Sequence, residues 1–191
     1  MSSKRIYVKY FVNEPAAVDL PEIVPIFHHW IQQKSVEGLL IDVADYKHVY
    51  QGPGIILIGH EGDYALDTTS GRAGFQYTFK REFADTLRDN IRTAFRLALQ
   101  GANQLEAEPP LKGQVTFAAT EAQLVLADAL ATPNTAEGYA AVAEDVYAVA
   151  AELYGEDVVI AQVENDPREH LTIRVIAPQA NGVGELAQRL N

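Results

Sequence analysis

The chain has 191 residues, with 48% hydrophobic and 21% charged side chains, which is ordinary for a globular protein long enough to bury a sizeable core. Fifteen Lys and Arg against 26 Asp and Glu give a formal net charge of -11. That excludes the positive footprint that general nucleic-acid or anionic-membrane binding needs. Cysteine is absent, so disulfides, thiolate metal sites and cysteine nucleophiles are excluded too.

Residues 5–12 alternate, with Ile6, Val8, Tyr10 and Val12 on one face, and read as a strand. Asp19 ahead of Leu20, Pro21 and Glu22 resembles a capping-box start. The helix it opens carries Ile23, Phe27, Trp30 and Ile31 at helical spacing to about Gln33, with Pro25 in its first turns. Residues 39–46 form a mostly apolar strand in which Leu39, Ile41 and Val43 make the better core face. Asp42 then shares the other face with Leu40, Ala44 and Tyr46. Turn signals at 52–54, 61–62 and 70–74 separate strands at 55–60, 63–68 and 75–80, an antiparallel meander.

The clearest helix is expected from Glu82 to about Leu105, with Phe83, Leu87, Ile91, Phe95, Ala98 and Ala102 as its apolar stripe. Pro109 and Pro110 end that region, and two strands follow near 113–119 and 122–128. Asn134, with Glu137 three residues on, signals a helix to Leu153 that buries Tyr139, Val142, Val146, Val149 and Leu153 and stops at Gly155. Strands at 157–163 and 170–176 flank a turn cluster, and a short helix closes 183–190.

These elements define an α+β fold with a largely antiparallel sheet and helices on one face. The order also reads as two β-α-β-β halves of ferredoxin-like type, residues 1–108 and 109–191, packed as one unit. The halves differ in charge: residues 1–96 carry a net of -1 and residues 97–191 a net of -10. Lys4 and Arg5 precede no long apolar stretch, so no secretory signal is expected and a cytoplasmic location is the default.

Four of the five histidines, His28, His29, His48 and His60, lie in the first 60 residues, beside Asp42, Asp45, Glu61, Asp63 and Asp67. Imidazole and carboxylate together perform acid–base work near neutral pH and ligate divalent metals. The expected catalytic group is Asp42, His48, His60 and Glu61, with Tyr46, Asp45 and Asp63 contacting a small-molecule ligand. His48, His60 and Asp42 are the set for a divalent metal, which the reading allows without requiring. The plain alternative is surface histidines, one histidine packed beside Trp30, and carboxylates at turns.

Arg88, Arg92 and Arg96 recur every four residues on the long helix. Guanidinium groups in a row suit phosphate or carboxylate. Pairing with Asp85 and Asp89 on the same helix, or contact with the acidic second half, accounts for them more simply. No Walker A, G-x-G-x-x-G or G-x-S-x-G motif is present. Two functions follow: a small-molecule-binding protein or enzyme with its pocket on the open sheet face of the first half, or a homo-oligomeric interaction module in which the Asp42 face is the interface.

Overall fold

The computed structural model describes residues 5–13, 20–50, 52–81 and 84–191. Eight antiparallel strands form one continuous sheet. In chain order the elements are β1 (Ile6–Val12), α1 (Leu20–Gln33), β2 (Leu40–Asp45), β3 (Ile55–Gly59), β4 (Gly62–Asp67), β5 (Gly74–Phe79), α2 (Leu87–Ala107), β6 (Phe117–Leu126), α3 (Ala136–Tyr154), β7 (Val159–Gln162), β8 (Leu171–Ile176) and α4 (Val183–Arg189). Across the sheet the order is β2-β3-β4-β5-β1-β6-β8-β7. β1, the first strand in sequence, therefore lies inside the sheet, and β2 and β7 are its edges.

The α+β class follows the period-2 and period-3.6 patterns read from the residues. Ile6, Val8 and Tyr10 of β1, Phe75, Tyr77 and Phe79 of β5, and Leu171, Ile173 and Val175 of β8 all face the helices and are buried. Leu87, Ile91, Phe95, Ala98 and Ala102 of α2 meet them, so the anticipated stripe is the buried one from Leu87 onward. These residues belong to one hydrophobic cluster with the buried side chains of α3 and α4. α2 lies close to the sheet at Gly101, where an added Cβ would come within 2.4 Å of the Phe75 ring. No helix among the described residues is long and apolar enough to cross a membrane.

Several local expectations change. α2 starts at Leu87, where Thr86 caps it by accepting from the Asp89 amide. Glu82 and Phe83, like the Asp19 cap expected for α1, lie outside the described residues. Thr135 rather than Asn134 caps α3, accepting from the Gly138 amide. The two strands expected at 113–128 are one ten-residue strand, β6, whose buried phase shifts at Thr120 and Glu121, opposite the irregularity between Tyr10 and Val12 of β1. The connection between β3 and β4 is His60-Glu61, one residue earlier than expected.

β2 keeps the expected facing at Val43 and reverses it before the irregularity, at Leu39, Leu40 and Ile41. A register shift between Leu40 and Asp42 breaks its alternation. Leu40 and Val43 pack on the core, whereas Leu39 and Ile41 are 63% and 57% exposed.

The strands of residues 1–108 (β2-β3-β4-β5-β1) and of residues 109–191 (β6-β8-β7) occupy contiguous parts of the one sheet, and within the first part the β4–β5 hairpin stands between β3 and β1. β5 and β6 both pair antiparallel to β1 and are joined by α2. β6 and β7 flank β8 in the same way and are joined by α3. This order does not establish two ferredoxin-like halves.

Candidate functional site

The sheet face turned away from the helices is polar, and its layout follows from register. In one cross-strand row Asp63 faces Thr78, Thr78 faces Tyr7, and Tyr7 faces Val125. In the next, Ala65 faces Gln76, Gln76 faces Lys9, and Lys9 faces Gln123. These are the positions that alternate with the core residues of the same strands. Together they floor a trough of about 400 Å3, lined by Arg5, Tyr7, Asp63, Gln76, Thr78 and Gln123 among others.

Beside this floor lies a closed ionic cluster. Lys9 and Asp67 are 4% and 2% exposed and ion-paired. The Thr69 hydroxyl donates to the same Asp67 oxygen at 2.6 Å. Removal from water pushes the Lys9 ammonium below its ordinary pKa, with the Asp67 carboxylate opposing that shift. Asp63 accepts from Lys80 Nζ at 2.7 Å and from the Gly59 amide at 3.0 Å.

Arg72 donates to Glu121 through its two terminal guanidinium nitrogens, at 3.0 and 3.1 Å, and its guanidinium carbon lies 3.7 Å from the centre of the Phe11 ring. That bidentate contact holds the Glu121 carboxyl below its usual range. By contrast, the Tyr7 hydroxyl and the Gln123 amide meet no hydrogen-bond partner among the described residues. Gln76 reaches only Thr78, at 3.3 Å.

Of the seven residues expected to form the site, Asp63 alone lines this trough. His60 and Glu61 touch each other at 3.3 Å on the β3–β4 turn, and Glu61 also accepts from the Leu39 amide at 3.1 Å. The Leu39 contact is the main reason the Glu61 carboxyl sits below its ordinary range. The turn abuts the trough, because the Lys80 amide donates to the Glu61 carbonyl.

Asp42 is exposed and accepts from the Val43 amide at 2.8 Å. Asp45 accepts from the Lys47 amide at 2.9 Å and pairs with the Lys47 ammonium at 3.0 Å, which together lower its pKa. Tyr46 and His48 are exposed on the turn after β2. Among the described residues no group of three His, Asp or Glu side chains is placed to hold a metal ion, so His48, His60 and Asp42 do not converge. His28 and His29 are both exposed, and neither packs as a buried histidine beside Trp30.

The arginine row turns towards other elements rather than along its own helix. Arg88 pairs with Asp145 at 3.0 Å, Arg92 with Glu152 at 2.8 Å and Arg96 with Glu37 at 2.7 Å. Two of the three partners lie on α3, in the acidic second half. Asp89 instead accepts from the Thr86 hydroxyl at 2.6 Å, within the α2 cap.

Tyr7, Lys9, Gln76 and Gln123 are absent from the histidine-centred expectation, which names Asp67 only as one of the nearby carboxylates. Their one signal in the sequence is the polar phase of strands whose other phase is plainly core. No family model, no curated protein and no solved structure matches the chain.

Proposed function

We propose that the chain binds a small polar organic molecule in the trough on its open sheet face. The observation that carries this reading is the pair of half-buried groups, the Tyr7 hydroxyl and the Gln123 amide, that meet no partner among the described residues on the floor of a concave site. Half-buried polar groups are normally satisfied, and a ligand bearing hydroxyl, amide or carboxylate groups supplies what they lack. Asp63 and Lys80 at one end add a donor and an acceptor of opposite charge. In the enzymatic form of this reading, His60 and Glu61 act as the acid–base pair beside the trough, with a divalent metal as an optional assistant.

The test is a thermal-shift screen of polar metabolites, followed by titration of each hit against Tyr7→Phe and Gln123→Ala. Each variant is expected to weaken binding by roughly 2–10-fold, the worth of one hydrogen bond. Hits that bind both variants as tightly as the parent chain would remove the trough from consideration.

A second reading, self-association, has its own support. Leu39, Ile41, Val49 and Tyr50 are 63%, 57%, 55% and 90% exposed, on and around the free edge strand β2. A symmetric dimer through this edge is expected to appear in native mass measurement at micromolar concentration and to dissociate on dilution. Ile41→Lys should abolish it. A monomer at every concentration would discard this reading and leave the trough untouched.

A further inference from the structure

A second site lies in the helix layer, away from the trough. Glu108 follows α2 and is only 8% exposed. Its Oε1 accepts two hydrogen bonds, from Trp30 Nε1 at 2.6 Å and from Gln104 Nε2 at 3.0 Å. Its Oε2 accepts none from the described residues, and Glu108 joins no ion pair among them. Glu108 also lines a cavity of about 440 Å3 whose other described walls are Glu22, Pro25, Ile26, His29 and Pro110.

The two donors to Oε1 are both neutral, so no described residue balances the carboxylate's charge. A buried carboxylate in that state calls for a cationic N–H donor at its free oxygen. Glu22 places a second acidic group at the cavity, and no Lys or Arg stands among the described walls. An anion is therefore disfavoured there. Pro25, Ile26 and Pro110 offer an apolar body a surface that a hydrated inorganic ion would not use. The residues of this cavity also do not form a metal-holding group of three.

We propose that the cavity binds an organic ammonium compound, a primary amine on an apolar body. Its ammonium group donates to Glu108 Oε2, and Pro25, Ile26 and Pro110 pack its hydrocarbon. This inference is independent of the trough and stands or falls separately.

Trp30 is the only tryptophan of the chain and hydrogen-bonds the same carboxylate, so its fluorescence reports on the site. The full chain is titrated with cyclohexylammonium, and with cyclohexanol and cyclohexanecarboxylate as neutral and anionic shape matches. The expected result is a saturable change in Trp30 emission with the ammonium compound, and half-saturation at least about tenfold weaker for both matches.

Glu108→Gln keeps an acceptor for Trp30 and Gln104 while removing the charge. It is expected to weaken cyclohexylammonium binding by about tenfold or more. Equal responses to cyclohexanol and cyclohexylammonium would overturn the proposal. So would an ammonium response unchanged in Glu108→Gln, or no saturable response to any probe. Should that variant fail to fold, the three-probe comparison on the unaltered chain decides alone.

Discussion

Two buried carboxylates lie on opposite sides of the sheet, and the chain treats them differently. Asp67, on the open face, is 2% exposed and its charge is answered from within, by the Lys9 ammonium, with the Thr69 hydroxyl donating to the same oxygen. Glu108, in the helix layer, is 8% exposed and among the described residues is answered by two neutral donors, both at one oxygen. Burial by itself therefore does not set the two apart; the presence or absence of a counter-charge does. A different contrast lies within the open face. The ion pairs of Asp67, Asp63 and Glu121 are closed among themselves, whereas Tyr7 and Gln123 keep their hydrogen-bonding capacity.

The largest effect expected on this comparison comes from opening the closed carboxylate. Lys9→Met leaves Asp67 buried without its counter-charge and should cost about 3–5 kcal/mol in urea denaturation. Replacing both partners, Lys9→Met with Asp67→Leu, should recover most of that loss, since a matched apolar pair needs no compensation. A loss below about 1 kcal/mol for Lys9→Met would mean the pair behaves as a solvated surface bridge, and the contrast with Glu108 would fail.

Much of this fold was legible because it rests on local periodicity. The alternation of Ile6, Val8 and Tyr10 and the stripe from Leu87 to Ala102 both select the buried face correctly. What was not legible depends on pairing between distant segments. Lys9 and Asp67 are 58 residues apart and Trp30 and Glu108 are 78 apart. Each polar residue is visible on its own strand or helix end, but its burial is set by strand order and helix docking.

The histidine–carboxylate grouping shows the converse. Asp42, Asp45 and His48 are neighbours along the chain, but β2 is an edge strand with an irregular register. Its acids are turned to solvent and spent on nearby amides, those of Val43 and Lys47. The Arg88, Arg92 and Arg96 spacing was readable, and contact with the acidic second half was one of the expected outcomes. Its partners Asp145 and Glu152 required the α2–α3 packing to be known.

A smaller effect probes a buried pair of neutral hydroxyls on the covered face. The Tyr10 hydroxyl is buried 3.0 Å from that of Tyr154, the last residue of α3. Removal from water raises both phenols, Tyr10 well above its ordinary value and Tyr154 to about 12. An unfolded tyrosine ionises near pH 10, so between that pH and about 12 the unfolded chain has released a proton that folded Tyr154 still holds. The stability contributed by this group is thus fully present below pH 10 and is lost as pH rises through the folded value.

Tyr154→Phe should cost about 0.5–1.5 kcal/mol at neutral pH, the worth of the lost hydrogen bond. In the alkaline window it should make the fall of stability with pH shallower by up to about 1.4 kcal/mol per pH unit, one proton's share of the linkage. Urea denaturation of both proteins across that window measures the two slopes. Parallel curves would show that folded Tyr154 releases its proton as readily as the unfolded residue, and burial would then not be what keeps this pair neutral.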